Sequence, residues 1–138
     1  MKKTWIIVII ALLGIAVISG YTVLDNSFPK ADPIKLPDTE SITAVTLIKN
    51  DGSSVSIETA VFGEILKNFT NAQPTRKMSV NDYPTAKTYY TMEVVTAVRQ
   101  YRYFLYSENS QVYLELPYEG VYKSSQQFLD FIAEYFKD

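Results

Sequence analysis

SITAVTLIKNDGSSVSIETAVFGEILKNFTN, residues 41–71, contains the change of period that decides the fold. Ile42, Val45 and Leu47 lie in a β-rich run from Ser41 to Lys49, and Val55 and Ile57 alternate with serines from Ser54 onward. Asn50-Asp51-Gly52 between the two runs predicts a hairpin, because Asn and Gly tolerate the positive φ of a tight turn. From Ala60 to Asn71 the apolar residues change to helical spacing. Val61, Phe62, Ile65, Leu66 and Phe69 fall on one stripe, and Thr59 is placed to cap the first amides. Pro74 then stops the helix.

Downstream the chain is strand-dominated. Thr88–Val98, Gln100–Tyr106 and Val112–Leu116 are rich in Tyr, Val and Thr, with a polar turn at Ser107–Ser110. A short strand over Thr75–Val80 is expected before them, ended by the turn Asn81-Asp82-Tyr83-Pro84. Gly120 follows Pro117-Tyr118-Glu119 as another reversal. The last helix opens at Ser124 with Gln127 three residues on, a capping box. Its Phe128, Leu129, Phe131, Ile132, Tyr135 and Phe136 form an apolar face too wide to lie in water. The expected fold is α+β: an antiparallel sheet of about five strands with two helices packed on one face, preceded by an N-terminal transmembrane or signal helix.

Upstream, residues 25–39 read as a Pro-containing tether. Pro29, Pro33 and Pro37 recur among Asp, Lys and Ser, and an extended chain of this kind advances about 3.1 Å per residue. The alternative is an ordered strand lying along the domain, since Ile34 and Leu36 alternate. Residues 1–24 read as a signal anchor or a signal peptide. Lys2 and Lys3 precede Thr4–Leu24, which has no charge and is long enough to cross roughly 30 Å of hydrocarbon. A retained anchor would seat Trp5 and Tyr21 at the two interfaces. A cleaved signal would use Trp5–Ile18 as its apolar region. The chain meets the membrane through residues 4–24, and residues 40–138 form an extracytoplasmic domain, tethered by a single pass or secreted if the signal is cut. At the Ile18-Ser19-Gly20-Tyr21 stretch a lipid anchor would need Cys where Tyr21 stands.

Composition removes whole classes of chemistry. Taking away residues 1–24 removes two lysines, leaving 11 Lys and Arg against 15 Asp and Glu, a formal charge of −4. That balance argues against nucleic acid as a partner. With neither His nor Cys in the chain, a Ser-His-Asp triad, a thiol nucleophile and the usual zinc or haem ligand sets are impossible. No catalytic, cofactor-binding or metal residue is assigned. Glu115, Glu119 and Glu93 are conceivable paired carboxylates, and Ser79 with Lys77 a conceivable nucleophile pair, but no motif supports either. Asn50-Asp51 and Asn81-Asp82 offer too few oxygens for calcium.

The tyrosines carry the remaining signal. Nine of 11 fall within residues 83–122. Alternation puts Tyr101 and Tyr103 on one face with Arg99, Arg102 on the other, and Tyr89 and Tyr90 on opposite faces. One set would pack under the helices, and the other would cover the open sheet face. Arg76, Tyr83, Tyr118 and Tyr122 are the expected binding surface, because they lie in or beside turns that core packing constrains least. The expected function is a membrane-anchored or secreted binding or sensor module for an envelope protein, peptide or wall glycan. A structural or accessory envelope protein is the alternative, and a carboxylate hydrolase comes last.

Two stretches resemble a known family: Thr75-Arg76-Lys77-Met78-Ser79-Val80-Asn81-Asp82-Tyr83-Pro84 and Tyr113-Leu114-Glu115-Leu116-Pro117-Tyr118-Glu119-Gly120-Val121-Tyr122. They are similar to signature stretches of uncharacterised exported domains of Gram-positive bacteria. Those domains occur as small lipoprotein-like or anchored proteins, and outside the membrane span of BlaR-type sensor metallopeptidases. Over about residues 34–138 the resemblance implies an extracytoplasmic α+β domain with a sensing or binding role. It implies no reaction. Tyr21 departs from the lipoprotein members.

Overall fold

The computed structural model describes residues 2–137, and the chain divides into two compact units, with the boundary in sequence between Lys30 and Ala31. The first is a single helix, α1 (Lys2–Ser27), apolar all round, with a mean hydropathy of 2.6 in its apolar stretch. At about 1.5 Å per residue it is some 39 Å long, so length and composition suffice to cross a membrane. It continues three residues beyond the expected end at Leu24. The Thr22 hydroxyl donates to the carbonyls of Ile18 and Ser19, both at 2.9 Å, so its polar group is satisfied within the helix.

The second unit is a seven-stranded antiparallel sheet with helices. Its strands are β1 (Ile42–Lys49), β2 (Ser54–Ile57), β3 (Gln73–Pro74), β4 (Tyr89–Thr96), β5 (Gln100–Glu108), β6 (Gln111–Leu116) and β7 (Gly120–Ser124). Their order is β2-β1-β4-β5-β6-β7-β3. A short 3₁₀ turn, Thr39–Ser41, leads into β1, and α2 (Thr59–Thr70) and α3 (Gln126–Glu134) complete the unit. The β1–β2 hairpin turns where Asn50-Asp51-Gly52 predicts it. Gly52 takes φ +94°, and Asp51 accepts from the Ser53 amide at 3.0 Å and its hydroxyl at 2.6 Å. Those bonds hold the Asp51 carboxyl down at about 2.

One sheet face forms the main core. The register aligns Leu47 with Met92 and Tyr103, and Leu105 with Leu114 and Tyr122. Phe62, Ile65, Leu66 and Phe69 of α2 and Phe128 and Ile132 of α3 close over this face. Phe69 sits at the centre, its ring 4.6 Å from Tyr103 and 5.9 Å from Phe128. Both helices lie on one face, as expected, and Tyr90 reaches Phe136 on that side while Tyr89 packs on Phe104 on the other.

Several expectations are corrected. The sheet has seven strands because β7 and the two-residue β3 form ladders that no local alternation announces. Thr75–Val80 is not a strand; pairing occurs just before it, at Gln73–Pro74. Glu58, not Thr59, is the N-cap of α2, without a side-chain bond, and Ser125, not Ser124, caps α3 by accepting from the Phe128 amide at 3.1 Å. The second sheet face is not open. The segment from Thr75 to Thr88 lies across it and buries Tyr106, Tyr113 and Val121 in a smaller cluster with Ala86 and Tyr89. Residues 31–36 do not hang free as a tether: Ala31, Ile34 and Leu36 pack against the main core, the docked alternative.

Candidate functional site

Within the sheet, β5 outruns its neighbour β6. The β4–β5 ladder runs back to Gln100, but the β5–β6 ladder starts only at Phe104, opposite Glu115. β6 cannot follow further because Pro117 has no amide hydrogen and the chain reverses. The Glu119 amide donates to the Leu116 carbonyl at 3.0 Å, and Tyr118 takes φ +63° in the turn. With proline before it, Tyr118 holds the place where a type II turn ordinarily has glycine, an uncommon conformation for so large a side chain. Gln100–Tyr103 are thus paired with β4 alone and floor a groove of about 920 Å³.

Two other segments wall this groove. The 31–36 strap is tied by the Ala31 amide to the Thr75 carbonyl at 3.0 Å, and by the Tyr122 phenol to the Asp32 carbonyl at 2.6 Å. Thr75 in turn donates its amide and hydroxyl to Val121, at 3.0 and 2.6 Å. Gly120 makes the docking feasible: a Cβ there would come closer to Ala31 Cβ than two carbons can approach. On the other side lies the Asn81–Pro84 turn. Tyr83 packs on Phe104 at 5.7 Å, and Arg102, 3.2 Å from Glu93, stands 6.0 Å from the Tyr83 ring. Tyr118 locks the two turns together. Its phenol donates to Asp82 Oδ1 at 2.8 Å and its amide to Ser79 Oγ at 3.3 Å. The bond to Asp82 raises the Tyr118 phenol above its ordinary value.

The lining is aromatic and charge-balanced. Lys35, Arg99 and Arg102 face Asp32, Asp82 and Glu119 around Tyr83, Tyr101, Tyr103 and Tyr118. Arg99 lies 4.0 Å above the Tyr101 ring, and Tyr101 stacks on Tyr103 at 6.4 Å. Tyr103 is 1% exposed, and its hydroxyl has no hydrogen-bond partner among the described residues. Burial pushes that phenol well above its ordinary range.

Of the four residues expected to form a binding surface, Tyr83 and Tyr118 meet at the groove, 53% and 65% exposed. Tyr122 lines it too but is 2% exposed, because it belongs to β7 rather than to a turn. Arg76 is half-buried and does not line the groove. The floor of Arg99–Tyr103 and the strap were not in the expected surface. Their side-chain alternation and the end of β6 at Leu116 are legible in sequence, whereas the register of β6 against β5 is not.

The other candidate chemistry separates. Glu93 pairs with Arg102, Glu119 lies exposed at the groove, and Glu115 is buried on the second sheet face. Glu115 accepts from the Ser79 hydroxyl at 2.7 Å and from the Tyr106 phenol at 2.9 Å, so both its oxygens are engaged. Lys77 Nζ turns instead to Glu108 at 2.7 Å and lies 4.1 Å from the Tyr113 ring centre, away from Ser79 as a nucleophile. This is a structural knot pinning the 75–88 segment to the sheet.

Fold and site together define an α+β domain carried behind an apolar N-terminal helix, with a groove at the unfinished edge of its central strand. The chain belongs to the DUF5301 family, described as "Domain of unknown function (DUF5300)", whose model matches residues 30–123. No curated protein matches the sequence. Among solved structures it is similar to one described as "NMR structure of the protein from Ruminococcus gnavus". That similarity has a TM-score of 0.59 and 24% identity, covering 69% of this chain and 97% of that one. At this identity the likeness concerns the fold alone.

Proposed function

We propose that the protein is an extracytoplasmic binding or sensor module, held at the membrane by α1 with its domain outside, or released if that segment is cleaved. The observation that carries this reading is the bond between Tyr118 and Asp82, which joins two loops beside the aromatic groove. Binding residues concentrate on loops positioned by a scaffold, and Tyr and Arg give large contact area at low entropic cost. The exposure of Tyr83 and Tyr118 supports this over an accessory protein without a ligand site. The orientation rests on Lys2 and Lys3 as the only charges before Asp25, and an exported Gram-positive setting on the signature stretches.

The test uses the full-length tagged chain, recovered with its envelope partners from detergent-solubilised membranes. Tyr118→Ala should recover markedly less of the same partners while its near-ultraviolet circular dichroism is unchanged. Equal recovery by the variant would remove the groove from the function.

A further inference from the structure

We infer that the groove receives an extended peptide, which adds as a short strand to the free edge of β5 at Gln100–Tyr103. This deepens the binding-module reading and rests on it. The first observation is the gap itself: β5 outruns β6, so these residues are hydrogen-bonded as a strand on their β4 side only. A strand exposes its amides and carbonyls alternately to either side, and an unfinished edge is a template for another chain. Such a peptide, antiparallel to β5, continues the line that β6 abandons at Leu116. Three residues of it cover about 10 Å.

The second observation is independent of the backbone. Tyr103 is one of the residues lining the groove, and its buried hydroxyl lacks a partner among the described residues. Buried polar groups are nearly always satisfied, so an orphan of this kind points to a polar atom that arrives with a ligand. Side-chain alternation then sorts the guest. Its residue opposite Arg102 projects toward Arg102 and Tyr83, and the residue opposite Tyr101 projects toward Tyr101 and Tyr103. The balance of three cations and three carboxylates suits a peptide's paired dipoles and disfavours a polyanion.

The test is an amide NMR titration of the full-length chain in detergent micelles with a randomised mixture of capped tetrapeptides. Parallel titrations use the same mixture fully N-methylated, and an N-acetylglucosamine tetramer. The expected result is shifts centred on Gln100–Tyr103 and Tyr118 with the plain peptides and none with the N-methylated ones, which cannot complete a ladder. Tyr103→Phe should weaken the apparent affinity roughly 3- to 10-fold, the loss of one hydrogen bond. Equal shifts from the N-methylated mixture, shifts at the β2 edge instead, or groove shifts that grow with protein concentration alone would overturn strand addition. Groove shifts from the sugar alone would sink the peptide assignment and leave the binding-module reading standing. Silence from every probe would overturn strand addition, and with Tyr118→Ala also harmless to partner recovery it would sink the binding-module reading as well.

Discussion

The phenol of Tyr118 donates to Asp82 Oδ1 at 2.8 Å across 36 positions of sequence, and this bond joins the two loops that flank the groove. Tyr118 holds a positive φ there, so a backbone conformation that costs energy is maintained at the point where the loops meet. Tyr118→Phe keeps the ring and removes the bond. Amide exchange at Asn81–Tyr83 should accelerate while the melting midpoint stays nearly constant, because both side chains are solvent-facing. Unchanged exchange would mean that the loop is held by Ser79 and Tyr83 alone.

Gly120 should not tolerate a methyl group. Gly120→Ala drives a Cβ into Ala31 and should release the 31–36 strap, at about 1–3 kcal/mol of stability. Limited proteolysis should then cut within residues 31–36, where the parent chain resists. Adding Ala31→Gly to the same variant should restore both resistance and most of the stability. If the double variant remains as labile as the single one, the strap is not seated against Gly120.

How much of this was legible follows from whether each signal is local. Asn50-Asp51-Gly52 fixes its hairpin within three residues, and the apolar stripe of α2 needs only its own spacing. β3 and β7 were missed because a two-residue strand containing Pro74, and a five-residue strand after a turn, exist only through their partners. The same non-local step misplaces Tyr122, which follows a turn in sequence and is a core residue of β7. Tyr83 and Tyr118 were legible as loop aromatics. That β5 extends beyond β6 could not be read, because register is a property of two strands together.

Glu115 should be costly to delete. Glu115→Ala removes the acceptor for the Ser79 and Tyr106 hydroxyl protons at a buried position and should lower stability by roughly 2–5 kcal/mol, measured by urea unfolding. Glu115→Gln keeps the shape and an accepting oxygen, so its cost should be nearer to about 1 kcal/mol. A larger loss for Gln than for Ala would show that the carboxylate does not pin the covering segment.

Alkali should unfold the domain through its tyrosines. Burial raises the phenols of Tyr103, Tyr106 and Tyr122 above the ordinary 10.0, and for Tyr106 the bond to Glu115 adds to it. Above pH 10 the unfolded chain sheds these protons while the folded chain keeps them. Their stabilisation is therefore complete below about pH 10 and is lost as pH rises, at about 1.4 kcal/mol per pH unit for each fully retained proton. Urea unfolding at stepped pH should show a flat plateau up to that point and a fall beyond it, shallower in Tyr106→Phe. A fall beginning well below pH 10 would assign the transition to other groups.

Tyr103→Phe should make the protein more stable. The ring contributes through Phe69, 4.6 Å away, and through Tyr101, and phenylalanine preserves that packing. What disappears is a buried hydroxyl without a partner, whose desolvation costs about 1–3 kcal/mol. A natural chain that retains such a group gives up stability at that position, a pattern expected where a site serves binding rather than folding. The melting midpoint of the full-length chain should therefore rise while peptide affinity falls, and the opposite signs are the diagnostic. If the substitution lowers the midpoint, the hydroxyl already has a partner in the free protein, and the argument that it awaits a ligand fails.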